Sequence, residues 1–241
     1  KKHVLNAGFI YNLRETNHDQ TDVYALGFPN ANMDHISMGA GFKEGDKPGG
    51  AYDVTRLVGF VGNLGYTYDE RFLLDFSVRS DGSSLYGSNN RWGTFWSLGL
   101  GYNLHHEKFM ERLTFINLLK IRGSIGTTGG QNFNPYQSMA MYSYNDDRIG
   151  AISYSGYIGA ILKAFGNKNL RWQKVEKQNV GLDFELFDRR LTGSFNVYDD
   201  ISKDVLIDVT LAPSLGFSSY KENLGEVKNS GVNIERYGNS G

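Results

Sequence analysis

Apolar and polar residues alternate with a period of two along this chain, in segments of about ten residues. In 4–14, Leu5, Ala7, Phe9, Tyr11 and Leu13 share one face and Asn6, Gly8, Ile10 and Asn12 the other. The same pattern sets Val58, Phe60, Leu64, Tyr66 and Tyr68 against Gly59, Asn63, Gly65 and Thr67 in 56–68. It recurs in 72–79 (Leu74 and Phe76 against Asp75 and Ser77), 93–104 (Leu98 and Leu100 against Gly99 and Gly101) and 118–126 (Ile121 against Lys120 and Arg122). It recurs again in 178–187 (Leu182 and Phe184 against Asp183 and Glu185) and 191–198, and more weakly in 226–235. Period two puts successive side chains on opposite faces of a strand, so eight principal strands are expected. Ten residues tilted by about 45° cover roughly 23 Å, close to the apolar band of an outer-membrane barrel.

The connections alternate between short and long. Asp69-Glu70 and Asp188-Arg189-Arg190 are tight turns, whereas 15–54, 80–91 and 127–172 are long and polar. Short turns at one end and long loops at the other is the outer-membrane arrangement, with the short turns periplasmic. Parity puts the connector 105–116 on the periplasmic side, as a helical turn. It also requires the strand-like pieces 138–144 and 151–162, carrying Tyr142, Tyr144, Tyr154 and Tyr157, to enter as one extracellular hairpin. Alternation by itself leaves a soluble β-sandwich open, because a polar face meets bulk water as readily as a wet lumen.

Composition sharpens this picture. Gly accounts for 30 of 241 residues, with 15 Tyr, 15 Phe and only 4 Pro, which suits a run of strands. A net charge of −1 argues against nucleic acid as a partner. The absence of cysteine excludes a disulfide framework and thiolate metal sites. There is no 18-residue apolar run for a membrane helix, and no signal peptide precedes the first strand, so the true N-terminus is expected to lie upstream.

SVRSDGSSLYGSNNRWGTFWSLGLGYNL resembles a segment of SusC/RagA-type TonB-linked outer-membrane proteins, through Arg79, Asp81, Gly82, Ser83, Ser84, Tyr86, Gly87, Asn90, Arg91, Gly93 and Phe95. LLKIRGSIGTTGGQNFNPY is similar to the family's Leu-Lys-x-Arg-x-Ser-x-Gly strand and Gly-x-Gln-Asn loop. A third segment carries Trp172, Asn179, Gly181, Asp183 and Tyr198 in the family's order. The fourth, Asn223, Gly225, Val227, Asn229 and Gly231, matches Asn-x-Gly-x-Val-x-Asn-x-Gly. One position departs: Trp96 stands where the family usually has Pro.

The resemblance implies an all-β transmembrane antiparallel barrel and energy-dependent import of glycans or peptides. It further implies a SusD-like lipoprotein lid, a TonB complex acting through a plug that 1–241 lacks, and location in the outer membrane. It implies a barrel of about 22 strands, so the eight here should form an open curved sheet with 4–14 and 226–235 as edges. Gly59, Gly65, Gly99, Gly101 and Gly181 on the inward faces fit a wide lumen better than a small filled barrel. A siderophore- or cobalamin-type receptor is the alternative within the membrane class, and a soluble carbohydrate-binding module the alternative outside it.

No catalytic constellation or phosphate-binding loop stands out, and no enzyme activity, cofactor or metal is expected. His105-His106-Glu107 reads as a solvated turn, and Asp199, Asp200 and Asp204 as solvated loop acids. Tyr66, Tyr68 and Phe72 flank a periplasmic turn as an interface girdle. Lys120, Arg122, Asp183 and Glu185 should face the lumen and pair with one another or with a plug. Tyr86, Trp92 and Tyr136 are the candidate substrate contacts, since aromatic faces in long loops stack on sugars; loop packing is the competing reading.

Overall fold

The computed structural model describes residues 2–42, 48–130, 134–144, 153–154, 157–158, 160–212, 214 and 219–238. In chain order its strands are β1 (His3–Asp22), β2 (Ala25–Leu26), β3 (Gly41–Phe42), β4 (Gly49–Tyr68), β5 (Phe72–Ser83), β6 (Trp92–Asn103) and β7 (Ile116–Gly130). They continue as β8 (Met141–Tyr144), β9 (Ser153–Tyr154), β10 (Tyr157–Ile158), β11 (Ala160–Ala164), β12 (Gln173–Leu186), β13 (Leu191–Thr210) and β14 (Ser219–Gly238). The long strands form one antiparallel sheet in the order β1-β4-β5-β6-β7-β12-β13-β14, an up-and-down meander. It does not close: among the described residues β1 and β14 are its two edges.

The two tight turns lie at one end together with the 104–115 connector. Asn103 N donates to Arg71 O (2.8 Å), and Phe187 N donates to Phe115 O (2.7 Å). Arg71 bridges Asp69 (2.8 Å) and Glu107 (3.3 Å) across two turns. The connector opens with a 3-10 turn at Leu104–His106. The second tight turn is one residue longer than its acidic-basic triplet, because Phe187 joins Asp188 and Arg189 in the left-handed region. At the opposite end β8 pairs with β11 and β9 with β10, the hairpin that parity required. Residues 145–152, 155–156 and 159 of that hairpin, and 131–133 of the Gly-x-Gln-Asn loop, lie outside the described residues.

The long loops are shorter than expected from the sequence. Residues 15–22 and 49–54 belong to β1 and β4, 80–83 to β5, and 127–130 to β7. The backbone ladder continues above the membrane edge with polar residues on both faces, crossed by ion pairs such as Arg56–Glu15 (2.7 Å) between β4 and β1 and Lys203–Glu176 (2.8 Å) between β13 and β12. A period-two apolar signal cannot report strands whose two faces are both polar.

The register assigns every strand residue to a face. Leu5, Tyr66, Leu74, Leu100, Gly123, Val180, Val197 and Val232 lie on one cross-strand line and share the apolar face. Leu98, Phe76, Leu182 and Phe184 share it too. None of these packs against a second sheet: Leu100 and Val180 are exposed, and the buried cluster lies elsewhere. Asp75, Asp81, Arg122 and Asp183 share the opposite face with Gly59, Gly65, Gly99, Gly101 and Gly181.

The last outward apolar residue before charge begins also yields the strand tilt. On β1 it is Leu13, whose cross-strand line passes through Val58, Gly82 and Trp92. On β13 it is Val197, whose line reaches Leu100. Trp92 and Leu100 are eight residues apart on β6, roughly 26 Å, while β1 and β13 are six strand steps apart, roughly 29 Å. A level membrane edge therefore needs a tilt of about 42°, within the range of outer-membrane barrels. At that tilt, Tyr68 to Val58 on β4 spans about 24 Å of height. At the short-turn end of this face, Phe72 stacks on Tyr102 (centroids 4.8 Å) and Tyr68 contacts both Phe72 and His3. This is an aromatic girdle, as the sequence suggested.

The open edges carry a consequence. β1 and β14 each present a 20-residue ladder with one side unpaired, and such edges template association. The isolated 241-residue chain is expected to form oligomers or aggregates in detergent. Sedimentation velocity returning a single folded monomer would contradict this.

Candidate functional site

Period two brings a polar, partly charged set onto the inner face toward the long-loop end. Asn12 and Arg14 from β1, Ser77, Arg79 and Asp81 from β5, and Thr128 from β7 line a cleft of about 450 Å³ there. Arg79 Nε donates to Asp81 Oδ2. Asp81 is 4% exposed, and its Oδ1 accepts no hydrogen bond among the described residues. Gly59 makes this possible: a Cβ there would stand 2.5 Å from Oδ1. Nearer the short turns, Arg122 donates Nε to Asp183 Oδ2 (2.9 Å) and Nη2 to Asn196 Oδ1 (2.5 Å). Two-point binding fixes the guanidinium plane and leaves a flat, hydrated lumen wall. Of the other charges expected in the lumen, Glu185 pairs with Arg189 (3.1 Å).

The cleft ends against the main buried cluster, Tyr86, Phe95, Leu170 and Trp172. Tyr86 stacks on Trp172 (4.2 Å), and Phe95 meets Trp172 edge-on (5.5 Å). Tyr86 OH donates to Gly130 O (2.6 Å), and the Trp172 indole donates to Arg91 O (3.1 Å). The cluster sits where pairing of β6 with β7 ends, at Ser97 and Gly126. There Trp96 N donates to the Thr127 hydroxyl (3.3 Å) instead of a ladder carbonyl, so a proline at this position would forfeit no ladder bond to β7. Asn223 holds the loop before β12 in place. It accepts from Arg171 N (3.0 Å) and donates to the carbonyls of Arg171 (3.0 Å) and Asp204 (2.8 Å). Gly87 lets its own loop approach closely, since a Cβ would lie 2.1 Å from Lys168 O.

Of the three aromatic candidates, Trp92 and Tyr136 come together on the outward face and Tyr86 lies apart from them. Tyr86, at 1% exposure, belongs to the buried cluster, and that burial pushes its phenol well above the usual range. Trp92 is 58% exposed and stacks on Phe60 (6.2 Å) on the outward face. Tyr136 OH accepts from Val54 N (3.0 Å) and lines, with Trp92, an outward-facing cleft of about 560 Å³. Arg14, Arg79 and Asp81 enter the inner cleft without having been singled out as site residues. The legible signal was the Arg-x-Asp spacing of Arg79 and Asp81, which period two puts on one face. Among the described residues no group of three or more acidic or histidine side chains is placed to hold a metal ion.

An antiparallel meander with a tilt near 42°, an apolar outer face, a polar inner face and short turns at one end defines a segment of a transmembrane β-barrel of the outer membrane. The chain belongs to the family described as TonB dependent receptor-like, beta-barrel, whose model matches residues 2–240. It is 32% identical to a TonB-dependent receptor of Formosa agariphila, over 97% of this chain and 22% of that protein. It is 34% identical to the TonB-dependent receptor SusC of Bacteroides thetaiotaomicron, over 73% of this chain and 18% of SusC. The fold superposes on the RagAB peptide transporter with a TM-score of 0.84 at 29% identity, covering 99% of this chain and 26% of that one. Similarity to the siderophore receptor PirA from Acinetobacter baumannii (TM-score 0.56, 10% identity, covering 98% of this chain and 40% of that one) is one of fold alone. The chain thus spans about a fifth to a quarter of the SusC- and RagA-type relatives it matches.

Proposed function

We propose that this chain is the wall segment of a TonB-dependent importer for oligomeric nutrients, peptides or glycans too large for porins. We further propose that it works with a SusD-like surface lipoprotein and a plug elsewhere in the parent protein. The observation that carries the reading is the fit to the RagAB peptide transporter over nearly the whole chain. The inner face is consistent with it. Small glycines alternate with fixed charges, which leaves a wide hydrated wall, and the cleft at Arg79 and Asp81 offers donors and acceptors to a polar chain. Likeness to siderophore receptors at 10–13% identity supports the barrel and no particular cargo.

The test uses the full-length receptor in cells lacking their own copy. Uptake of fluorescent oligopeptides and oligosaccharides is compared with and without TonB, and co-purifying lipoproteins are identified. TonB-dependent uptake of one oligomer class, reduced by Arg79→Ala, is expected. Uptake of ferric siderophores and of neither oligomer would move the protein to the siderophore class.

A further inference from the structure

The outward cleft lined by Arg56, Arg91, Trp92 and Tyr136 serves neither the lumen nor the girdle, and its position identifies what it meets. We propose that it binds the phosphorylated glycolipid of the outer leaflet, with a lipid phosphate between Arg56 and Arg91, the Trp92 ring beside the headgroup and an acyl chain descending past Phe60 and Tyr11. On β4, Arg56 is the next outward residue above Val58, with Val54 beyond it in the cleft wall. The level edge crosses β4 between Val58 and Phe60, so at the derived tilt Arg56 stands roughly 8 Å above the hydrocarbon edge, from where its long side chain reaches down to lipid phosphates. Trp92, at about the height of Arg56, stacks on Phe60 at the edge (6.2 Å), and Phe60 contacts Tyr11 inside the hydrocarbon (5.3 Å). Amphipathic aromatic rings favour this interface, and guanidinium matches phosphate geometry.

Charge complementarity supports one occupant. Outward Lys203 and Lys228 are ion-paired with Glu176 and Asp199, and Lys174, cross-strand from Lys203 and without an ion pair among the described residues, lies outside the cleft. The Arg91 side chain has no ion pair or hydrogen bond among the described residues, while its backbone carbonyl is held by Ser83 N (3.0 Å) and the Trp172 indole. Arg56 gives its Nε to Glu15 (2.7 Å), which leaves its terminal amino groups for a ligand. That contact also holds the Glu15 carboxyl below its usual range, so the pair stays ionised. Tyr136 and Met139 wall the cleft on the loop side. Strands of this chain flank both β4 and β6, so the next strands of a complete barrel would not cover it.

The experiment takes the full-length receptor in nanodiscs and measures retained lipid by native mass spectrometry. Bisphosphorylated lipid A and its fully dephosphorylated form are the probes. The wild type should retain the phosphorylated lipid in preference to bulk phospholipid. Arg91→Gln and the Arg56→Gln/Arg91→Gln double variant should lower retention about tenfold or more, as loss of charge-assisted hydrogen bonds implies. Arg91→Lys should keep an intermediate level. Should Arg56→Gln disturb β4, Arg91→Gln alone decides. Equal retention by wild type and Arg91→Gln would overturn the proposal, as would equal binding of dephosphorylated lipid. Displacement by inorganic phosphate or by peptide or glycan cargo would overturn it too, marking a soluble-ligand site. The readout does not involve transport, so it stands or falls separately from the importer reading.

Discussion

Leu98→Arg in the full-length receptor is expected to cost about 1–3 kcal/mol of stability in a bilayer, between the midplane and interface values, whereas Ser97→Arg, one residue away, should cost roughly 1 kcal/mol or less. The two neighbours lie on opposite faces of β6. Leu98 shares its line with Phe76 and Ile125 on the apolar side, and Ser97 with Ser77 and Gly126 on the lumen side. Above Leu98 the outward face of β6 continues to Trp96, where the level edge crosses this strand, and below it to Leu100 and Tyr102, so an arginine at 98 sits roughly 5 Å inside the hydrocarbon. Ser97 lines the inner cleft, where water can solvate the new charge. The measurement is a urea titration of vesicle-inserted receptor, followed by loss of resistance to SDS. Equal destabilisation by both substitutions would mean that the faces have been assigned the wrong way round.

That contrast also marks what the sequence could reveal. Within the membrane, lipid on one side and water on the other impose strict alternation, so Leu98 and Ser97 could be told apart from the pattern alone. Connection lengths then placed the tight turns at one end, and the motifs named the family. Above the membrane edge both faces of a strand meet water, and 15–22, 80–83 and 199–210 read as loop although they are strand. Ion pairs such as Lys221–Asp208 set that register, and cross-strand partners are invisible to a linear pattern. The inner cluster failed for a related reason. Tyr86, Phe95 and Trp172 lie far apart in sequence and meet only because β6 parts from β7 after Ser97 and Gly126. Family motif residues were thus correctly singled out while their contacts were not. Tyr86 was weighed as a sugar platform, and its ring is packed against Trp172.

Trp172→Ala should cost about 3–5 kcal/mol locally, as large-to-small changes of buried aromatics do, and should release the 84–91 and 166–172 loops without unfolding the sheet. Trp172 is 3% exposed and touches both Tyr86 and Phe95 while bonding Arg91 O. Removing it leaves a void between Phe95, anchored in β6, and the loop residues Tyr86 and Leu170, which lose their shared contact. Hydrogen exchange at the Gly87 amide reads the effect directly. Gly87 N donates to Leu170 O (2.9 Å) and joins the two loops only while the cluster holds. Exchange there should accelerate by a factor of about 100 or more, while ladder amides of β5 such as Leu74 remain protected. Trp172→Phe keeps most of the packing and loses the indole bond to Arg91 O, so it should fall about 0.5–1.5 kcal/mol below wild type, plus a smaller packing loss. Unchanged exchange at Gly87 in Trp172→Ala would show that the polar bonds, from Asn89 and Asn90 to Lys168 and Asn169 and from Asn223 to Arg171, hold the loops without the cluster.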